Sequence, residues 1–232
     1  SHVVANHHTV TSLAAAEAVL NRQQKESGTL LLDIGAGTTN MVVIEDGEVQ
    51  HVAVIPVGGI NVTNDLAIGL KTDLDIAEQV KIKHATLEKK PVKTFVRVEH
   101  EGRSHQFDGA EIQMIAEARI EELLELVDKE LKKIHKSRKL PGGVVIVGGS
   151  ANLPGIAEFT KDRLELAARV GKLQPLTGLM DTVQDSSYVG AVGLMLLDML
   201  LMPSSSGQSY VSGKPNNAVF GAVEGLLKRF RK

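Results

Sequence analysis

The chain has 232 residues, of which 43% are hydrophobic, enough for one large domain or two small ones with a real core. Its 26 basic and 28 acidic residues nearly cancel, which removes any global electrostatic case for nucleic acid as a partner. Cysteine is absent, excluding a disulfide framework, a thiolate metal site and a cysteine nucleophile, and His2, His7 and His8 have no acidic cluster beside them to complete a metal site.

Residues 9-TVTSLAAAEAVLNRQQKE-26 have helix-forming composition and predict one helix ending before Gly28. Two β-rich runs come next, 29-TLLLDIG-35 and 40-NMVVIEDGEVQHVAVIPVGG-59. Asp46-Gly47 suits a hairpin turn, so three consecutive antiparallel strands are expected. A helix then starts in 58-GGINVTNDLAIGLK-71, with Thr63 or Asn64 near its N-cap, and a second spans 74–85 after the break 72-TDLD-75.

Residues 92–107 alternate and turn at Glu101-Gly102, predicting another hairpin. Ile112, Ile115, Ala116, Ile120, Leu123, Leu124, Val127 and Leu131 recur near helical spacing, so 110–137 reads as one long amphipathic helix. The stretch 141-PGGVVIVGGSANLPGI-156 gives a turn, a buried β-branched strand, a Gly-Gly turn and a helix start, the helix covering 155–169. The longest apolar run, 189-VGAVGLMLLDMLLM-202, is shorter than the ~20 residues of a spanning helix and carries Asp198; it predicts a buried helix over 186–201. Residues 203–217, rich in Ser, Gly, Pro and Asn, read as a flexible linker.

The turn in 33-DIGAGTTN-40 is more elaborate than a polar hairpin needs. Gly35 and Gly37 let backbone N–H groups approach an anion, Thr38 and Thr39 add small donors, and Asp33 at the strand end suits a Mg²⁺ held through water. A plain hairpin capped by Asp33 is the alternative. Two further features favour the phosphate cradle. Gly148 and Gly149, after the β-branched strand, leave room for a flat ring on the backbone, and Glu78 and Lys81 share a helix face suited to a ribose and an adenine edge.

The last residues, 218-AVFGAVEGLLKRFRK-232, set Val219, Phe220, Val223, Leu226, Leu227 and Phe230 on one apolar stripe, with Lys228, Arg229, Arg231 and Lys232 at its end. A terminal helix docked on the domain is one reading; a tethered basic helix lying on an anionic membrane surface is the other, and the linker favours it. The charged outer face of the long helix, which includes Arg119 and Lys129, is either a solvated face or a partner surface.

In order, DIGAGTTN, VGGINVTNDLA, AEQVKIKH and VVIVGGSANLPGI resemble the second half of the actin-like ATPases, and within them the bacterial cell-division FtsA family. That resemblance implies an α/β, ribonuclease-H-like lobe binding ATP with Mg²⁺. DIGAGTT would be the second phosphate loop, Gly58, Gly59 and Asn61 would lie by the phosphates or sugar, Glu78 and Lys81 would meet the nucleoside, and Gly148, Gly149, Ser150 and Leu153 would form the adenosine motif. Asn40 departs from the family pattern, which usually carries an acid there.

The resemblance also implies an organisation. Residues 1–27 would be a remnant of the first lobe, 28–62 and 141–180 the second large subdomain, 63–140 an inserted small subdomain, and 181–202 a helix returning toward the first lobe. A linker at 203–217 and a membrane-targeting helix at 218–232 would complete the chain. With the first phosphate loop expected upstream, the chain reads as a C-terminal piece, binding nucleotide weakly with little or no hydrolysis. The implied partners are the C-terminal tail of the tubulin-like protein FtsZ, received by the inserted subdomain with Arg119 or Lys129 at its rim, further copies in actin-like filaments, other division proteins and the inner face of the cytoplasmic membrane at the septum. A pilus-assembly adaptor and a sugar-kinase or chaperone-like ATPase of the same superfamily are the alternatives.

Overall fold

Leu30, Leu31 and Leu32 are all fully buried, the pattern of a strand covered on both faces, and they lie on the central strand of the main sheet. The structure, a computed structural model, describes residues 9–90, 94–173 and 185–201. The expected linker and the amphipathic tail 218–232 lie outside the described residues.

The five-stranded sheet has the order β3-β2-β1-β6-β7, with β1 at Thr29–Ile34, β2 at Thr39–Glu45, β3 at Glu48–Ile55, β6 at Val144–Val147 and β7 at Ala168–Val170. The first three strands are antiparallel neighbours, as the hairpin turns predict, and Asp46 and Gly47 turn the second hairpin with φ of 53° and 72°. β6 pairs parallel with β1 at Leu30↔Val144, and β7 pairs parallel with β6. A separate hairpin, β4 (Phe95–His100) and β5 (Arg103–Asp108), turns at Glu101-Gly102 as expected.

Alternate strand residues feed two cores, because successive side chains leave a strand on opposite faces. Leu31, Val42, Ile44, Val145 and Val147 pack with α1 (Thr11–Val19) and the first residue of α7 (Val189–Leu201). Leu30, Leu32, Met41, Val43, Val144 and Ile146 pack with α3 (Gly59–Gly69), α4 (Leu74–His84), α5 (Gly109–Lys133) and α6 (Ile156–Leu164). The long helix α5 buries Ile112, Ile120, Leu123, Leu124, Val127 and Leu131, each worth about 1.5–3 kcal/mol of apolar transfer.

Several boundaries differ from the sequence expectation. The single helix over 9–26 is two, α1 and α2 (Arg22–Ser27). Leu20 is extended, and Asn21 restarts the helix with a reciprocal cap in which its Oδ1 accepts from Gln24 N (2.9 Å) and Gln24 Oε1 accepts from Asn21 N (3.0 Å). α3 begins at Gly59, so neither Thr63 nor Asn64 is its N-cap; Asn61 Oδ1 reaches back to Gly58 N instead (2.9 Å). α5 stops at Lys133, short of 137, and His135 beyond it has φ of 59°.

The helix expected over 155–169 ends at Leu164, where Glu165 is left-handed, and the chain continues into β7 rather than into more helix. Here a parallel βαβ unit overrides local helix propensity. The apolar run read as a buried helix is buried on one side only: α7 places Val189 in the core while Met195 and Met199 are 56% and 66% exposed. No helix among the described residues is long and apolar enough to cross a membrane.

Candidate functional site

A cavity of about 400 Å³ opens between the β1–β2 turn, the start of α3, the inner face of α4 and the turn after β6. Seven of the residues singled out from sequence line it: Gly35, Gly59, Glu78, Lys81, Gly149, Ser150 and Leu153. They come from segments more than a hundred residues apart, and the β1–β6 pairing brings the two glycine turns together at the same end of the sheet.

At the first turn Gly35 N donates to Thr38 O at 2.9 Å, closing the hairpin. Among the described residues no acceptor takes the N–H of Ala36, Gly37 or Thr38, and all three residues are exposed. Successive unpaired amides in a tight turn form an anion-binding concavity. The two threonines behave differently: Thr38 is exposed, whereas Thr39 is fully buried and its hydroxyl donates to Val57 O at 2.8 Å. The donor role expected of Thr39 is therefore corrected to a structural one, since its single proton is already taken.

Gly58, Gly59 and Asn61 hold this turn from behind. Gly59 N donates to Gly35 O (2.9 Å) and Ile60 N to Ala36 O (2.8 Å), while Gly58 N and Asn61 N are satisfied within the cap. A Cβ on Gly58 would lie 2.6 Å from Ala36 O, so only glycine permits this approach. The first amides of α3 are thus taken up by the loop and support the cradle, while Gly59 also lines the cavity.

The turn after β6 supplies a second set of amides. Gly148, at φ of 88°, leads into a 3₁₀ turn, Gly149–Asn152. Among the described residues the N–H groups of Gly149 and Ser150 have no acceptor. Asn152 Nδ2 donates to Asp185 Oδ1 at 2.9 Å, which ties the turn to the segment before α7 and, with the Ser187 bonds, draws the Asp185 carboxyl below its ordinary range.

Asp33, the penultimate residue of β1, lies beside Gly148: a Cβ on that glycine would stand 2.6 Å from Asp33 Oδ1. The carboxylate has no hydrogen-bond or ion-pair partner among the described residues, and burial pushes its pKa up. No cluster of three or more His, Cys, Asp or Glu suited to a metal occurs among the described residues. A lone carboxylate of this kind suits Mg²⁺, which keeps several waters and takes its remaining oxygens from phosphates.

Glu78 and Lys81 face the cavity from α4 but bind each other, Lys81 Nζ lying 2.6 Å from Glu78 Oε2. Burial raises the Glu78 carboxyl, and the bonds from Lys81 and Thr63 outweigh it, leaving the group below its ordinary range. Ala36, Val62, Ile82, Asn152 and Pro154, which lie inside the quoted motifs without an individual role, and Ile120, which lies outside them, complete the wall. Ile82 carried a signal in standing beside Lys81 on the same helix; Ile120 carried none, because only tertiary packing brings α5 to the cavity.

The two residues named for a partner surface part company. Arg119 grips Asp65 with two bonds, Nε to Oδ2 at 2.5 Å and Nη2 to Oδ1 at 2.9 Å, and reaches Glu122 with Nη1 at 2.6 Å. Its fork joins α5 to α3 and is occupied within the fold. Lys129 is on the outer side of α5, away from the buried positions of that helix.

Residues 30–193 match the family model described as cell division protein FtsA. The chain is 32% identical over 216 residues to the FtsA of Pseudomonas aeruginosa, covering 89% of this chain and 52% of that protein. It is 36% identical over 187 residues to the FtsA of Bacillus subtilis, covering 79% and 41%. The chain thus spans about half the length of the curated relatives it matches. Among solved structures, MreB5 of Spiroplasma citri bound to ADP superposes with a TM-score of 0.65 at 19% identity over 82% of this chain and 58% of that one. The MamK double helical filament gives 0.64 at 16% identity over 83% and 59%. These likenesses establish an actin-like fold, and the match across most of the chain places it in the FtsA family of cell-division proteins.

Proposed function

We propose that the chain is the nucleotide-binding lobe of a cell-division protein that binds Mg-ATP and links FtsZ filaments to the inner face of the cytoplasmic membrane at the septum. The observation that carries the nucleotide reading is the pairing of two runs of unpaired backbone amides, Ala36 to Thr38 and Gly149 to Ser150, beside one cavity with an apolar wall of Val62, Ile82, Ile120 and Leu153. Amides of this kind hold phosphate oxygens, Gly149 and Leu153 accept a flat base, and Glu78 reaches a sugar hydroxyl. Asp33 is the residue that would hold Mg²⁺ through water, and the ion would supply neutralisation of phosphate charge.

Two proteins of the same fold support nucleotide use and assembly by their own descriptions: MreB5 bound to ADP, and MamK as a double helical filament. The inserted region 63–140 is the proposed FtsZ-binding part, with Lys129 rather than Arg119 as its available cation. The tail 218–232 is the proposed membrane anchor, on the strength of its apolar stripe and terminal basic cluster. Membership of the FtsA family weighs against the pilus-adaptor and sugar-kinase or chaperone readings.

Calorimetry with Mg-ATP tests the central reading: saturable binding that Gly149→Val abolishes is expected, and identical heats for both chains would refute it. Liposomes containing anionic lipid should sediment the full chain but not one lacking 218–232. A labelled FtsZ tail peptide should bind saturably and lose affinity in Lys129→Glu.

A further inference from the structure

Asn152 closes the turn after β6 and lines the cavity, yet both N–H bonds of its amide go to the segment before α7. Nδ2 donates to Asp185 Oδ1 at 2.9 Å and, more weakly, to Ser187 Oγ at 3.4 Å. Asp185 Oδ1 also accepts from Ser187 N at 2.9 Å and from Ser187 Oγ at 2.7 Å, so the single proton of that hydroxyl is taken and its oxygen is left to accept from Asn152. The bonds from Asn152 and Ser187 hold the Asp185 carboxyl below its ordinary range, and an ionised carboxylate only accepts. The orientation of the Asn152 amide is therefore fixed by chemistry. Its nitrogen faces Asp185, and the end left over is Oδ1, which accepts no bond among the described residues.

The same segment holds the other end of the turn, since Gly148 N donates to Ser186 O at 3.1 Å. Between these two ties Gly149 stays open: the nearest atom to a Cβ there would be Ser187 Oγ at 3.9 Å. A flat base resting on the Gly149 backbone therefore meets, at the end of the turn, an acceptor that the fold has already oriented. A 6-amino purine offers an N–H to such an oxygen, whereas a 6-oxo purine offers a second lone pair. We propose that Asn152 is a specificity-determining residue that selects a 6-amino over a 6-oxo purine through Oδ1, and that Asp185 is the positioning residue that sets which end of its amide is left for the base. This rests on the nucleotide reading above. The bonds predict a specific asymmetry: removing the carboxylate changes which base is preferred, not only how tightly any base is held.

Mg-ATP and Mg-ITP share the phosphates and the sugar and differ at the 6-position of the base. Calorimetric titration of the full chain, of Asn152→Ala and of Asp185→Asn with both ligands separates the roles. The unsubstituted chain should bind Mg-ATP roughly 10-fold more tightly than Mg-ITP, as one matched against one mismatched hydrogen bond implies. Asn152→Ala should bring the two affinities to near parity by weakening Mg-ATP. In Asp185→Asn the new amide donates as well as accepts, the Asn152 amide is free to turn, and Mg-ATP should weaken while Mg-ITP strengthens. A merely structural loosening of the turn would weaken both ligands by one factor and leave their ratio unchanged. Both side chains are exposed, and urea midpoints establish that the folded chain is being measured. A ratio unchanged in Asn152→Ala, or changed there but not in Asp185→Asn, would overturn the proposal. Equal affinities of the unsubstituted chain for Mg-ATP and Mg-ITP would overturn it while leaving the nucleotide reading intact. Failure to bind either would remove that reading, and this inference with it.

Discussion

Replacing Gly148 by alanine tests how the two glycine turns are held together. Gly148 has φ of 88°, and a Cβ there would meet Ile34 O at 2.5 Å and Asp33 Oδ1 at 2.6 Å. With ψ of 172° this positive φ falls in a region open essentially to glycine alone, which costs an L-residue about 1–3 kcal/mol, and forcing a methyl against the β1 backbone costs about 1–3 kcal/mol more. The expected destabilisation is therefore about 2–6 kcal/mol. With a urea m-value of about 2–3 kcal/mol/M for a chain of this size, the unfolding midpoint should fall by roughly 1–3 M. The chain has no tryptophan, so far-ultraviolet circular dichroism is the suitable signal. Gly149→Ala is the internal control, since its nearest neighbour would be 3.9 Å away and its stability should change by less than about 0.5 kcal/mol. A midpoint for Gly148→Ala within about 0.2 M of the unsubstituted chain would refute the reasoning.

Asp33→Asn should stabilise the ligand-free chain at neutral pH. Burial raises the folded carboxyl above its unfolded value, so its favourable contribution is complete below the unfolded pKa near ~3.9 and is lost as pH rises through the folded pKa. The gain in urea midpoint should accordingly vanish in acid, while Mg-ATP affinity falls. Asn40→Asp puts a second carboxylate directly across the β1–β2 pair from Asp33 and should cost about 0.2–1 kcal/mol without Mg²⁺, recovered on adding it; equal midpoints with and without the ion would count against a metal beside Asp33. Arg119→Ala should lower stability by about 1–3 kcal/mol through loss of the Asp65 fork. Combining it with Asp65→Ala should add little, whereas strict additivity in a double-mutant cycle would show that the pair does not couple α3 to α5.

Local chemistry, written in adjacent residues, was enough to read the strands and their hairpins. Asp46-Gly47 and Glu101-Gly102 turn where their left-handed residues allow, and the spacing of Ile112 to Leu131 makes α5 a helix whatever it packs against. The order of the glycine motifs also points to the family, because each turn needs its own small residues at fixed offsets. Where helices stop was less legible: the cap at Asn21 and the left-handed Glu165 compete with good helix formers, and β7 forms only because β6 offers it an edge.

The sequence by itself determined the turns, the strand faces and which residues carry chemistry. The tertiary structure decided what each of those residues has left to give. Thr39 and Thr38 are neighbours of the same type, yet Val57 O takes the proton of one and leaves the other in solvent. Lys81 and Arg119 read as cations facing a ligand or a partner, and the fold occupies them with Gly59, Glu78 and Asp65, whose approach depends on helices packed from distant parts of the chain. A hydrogen-bonding group has few valences, and which neighbour fills them first is set by three-dimensional proximity, which spacing along one chain does not encode.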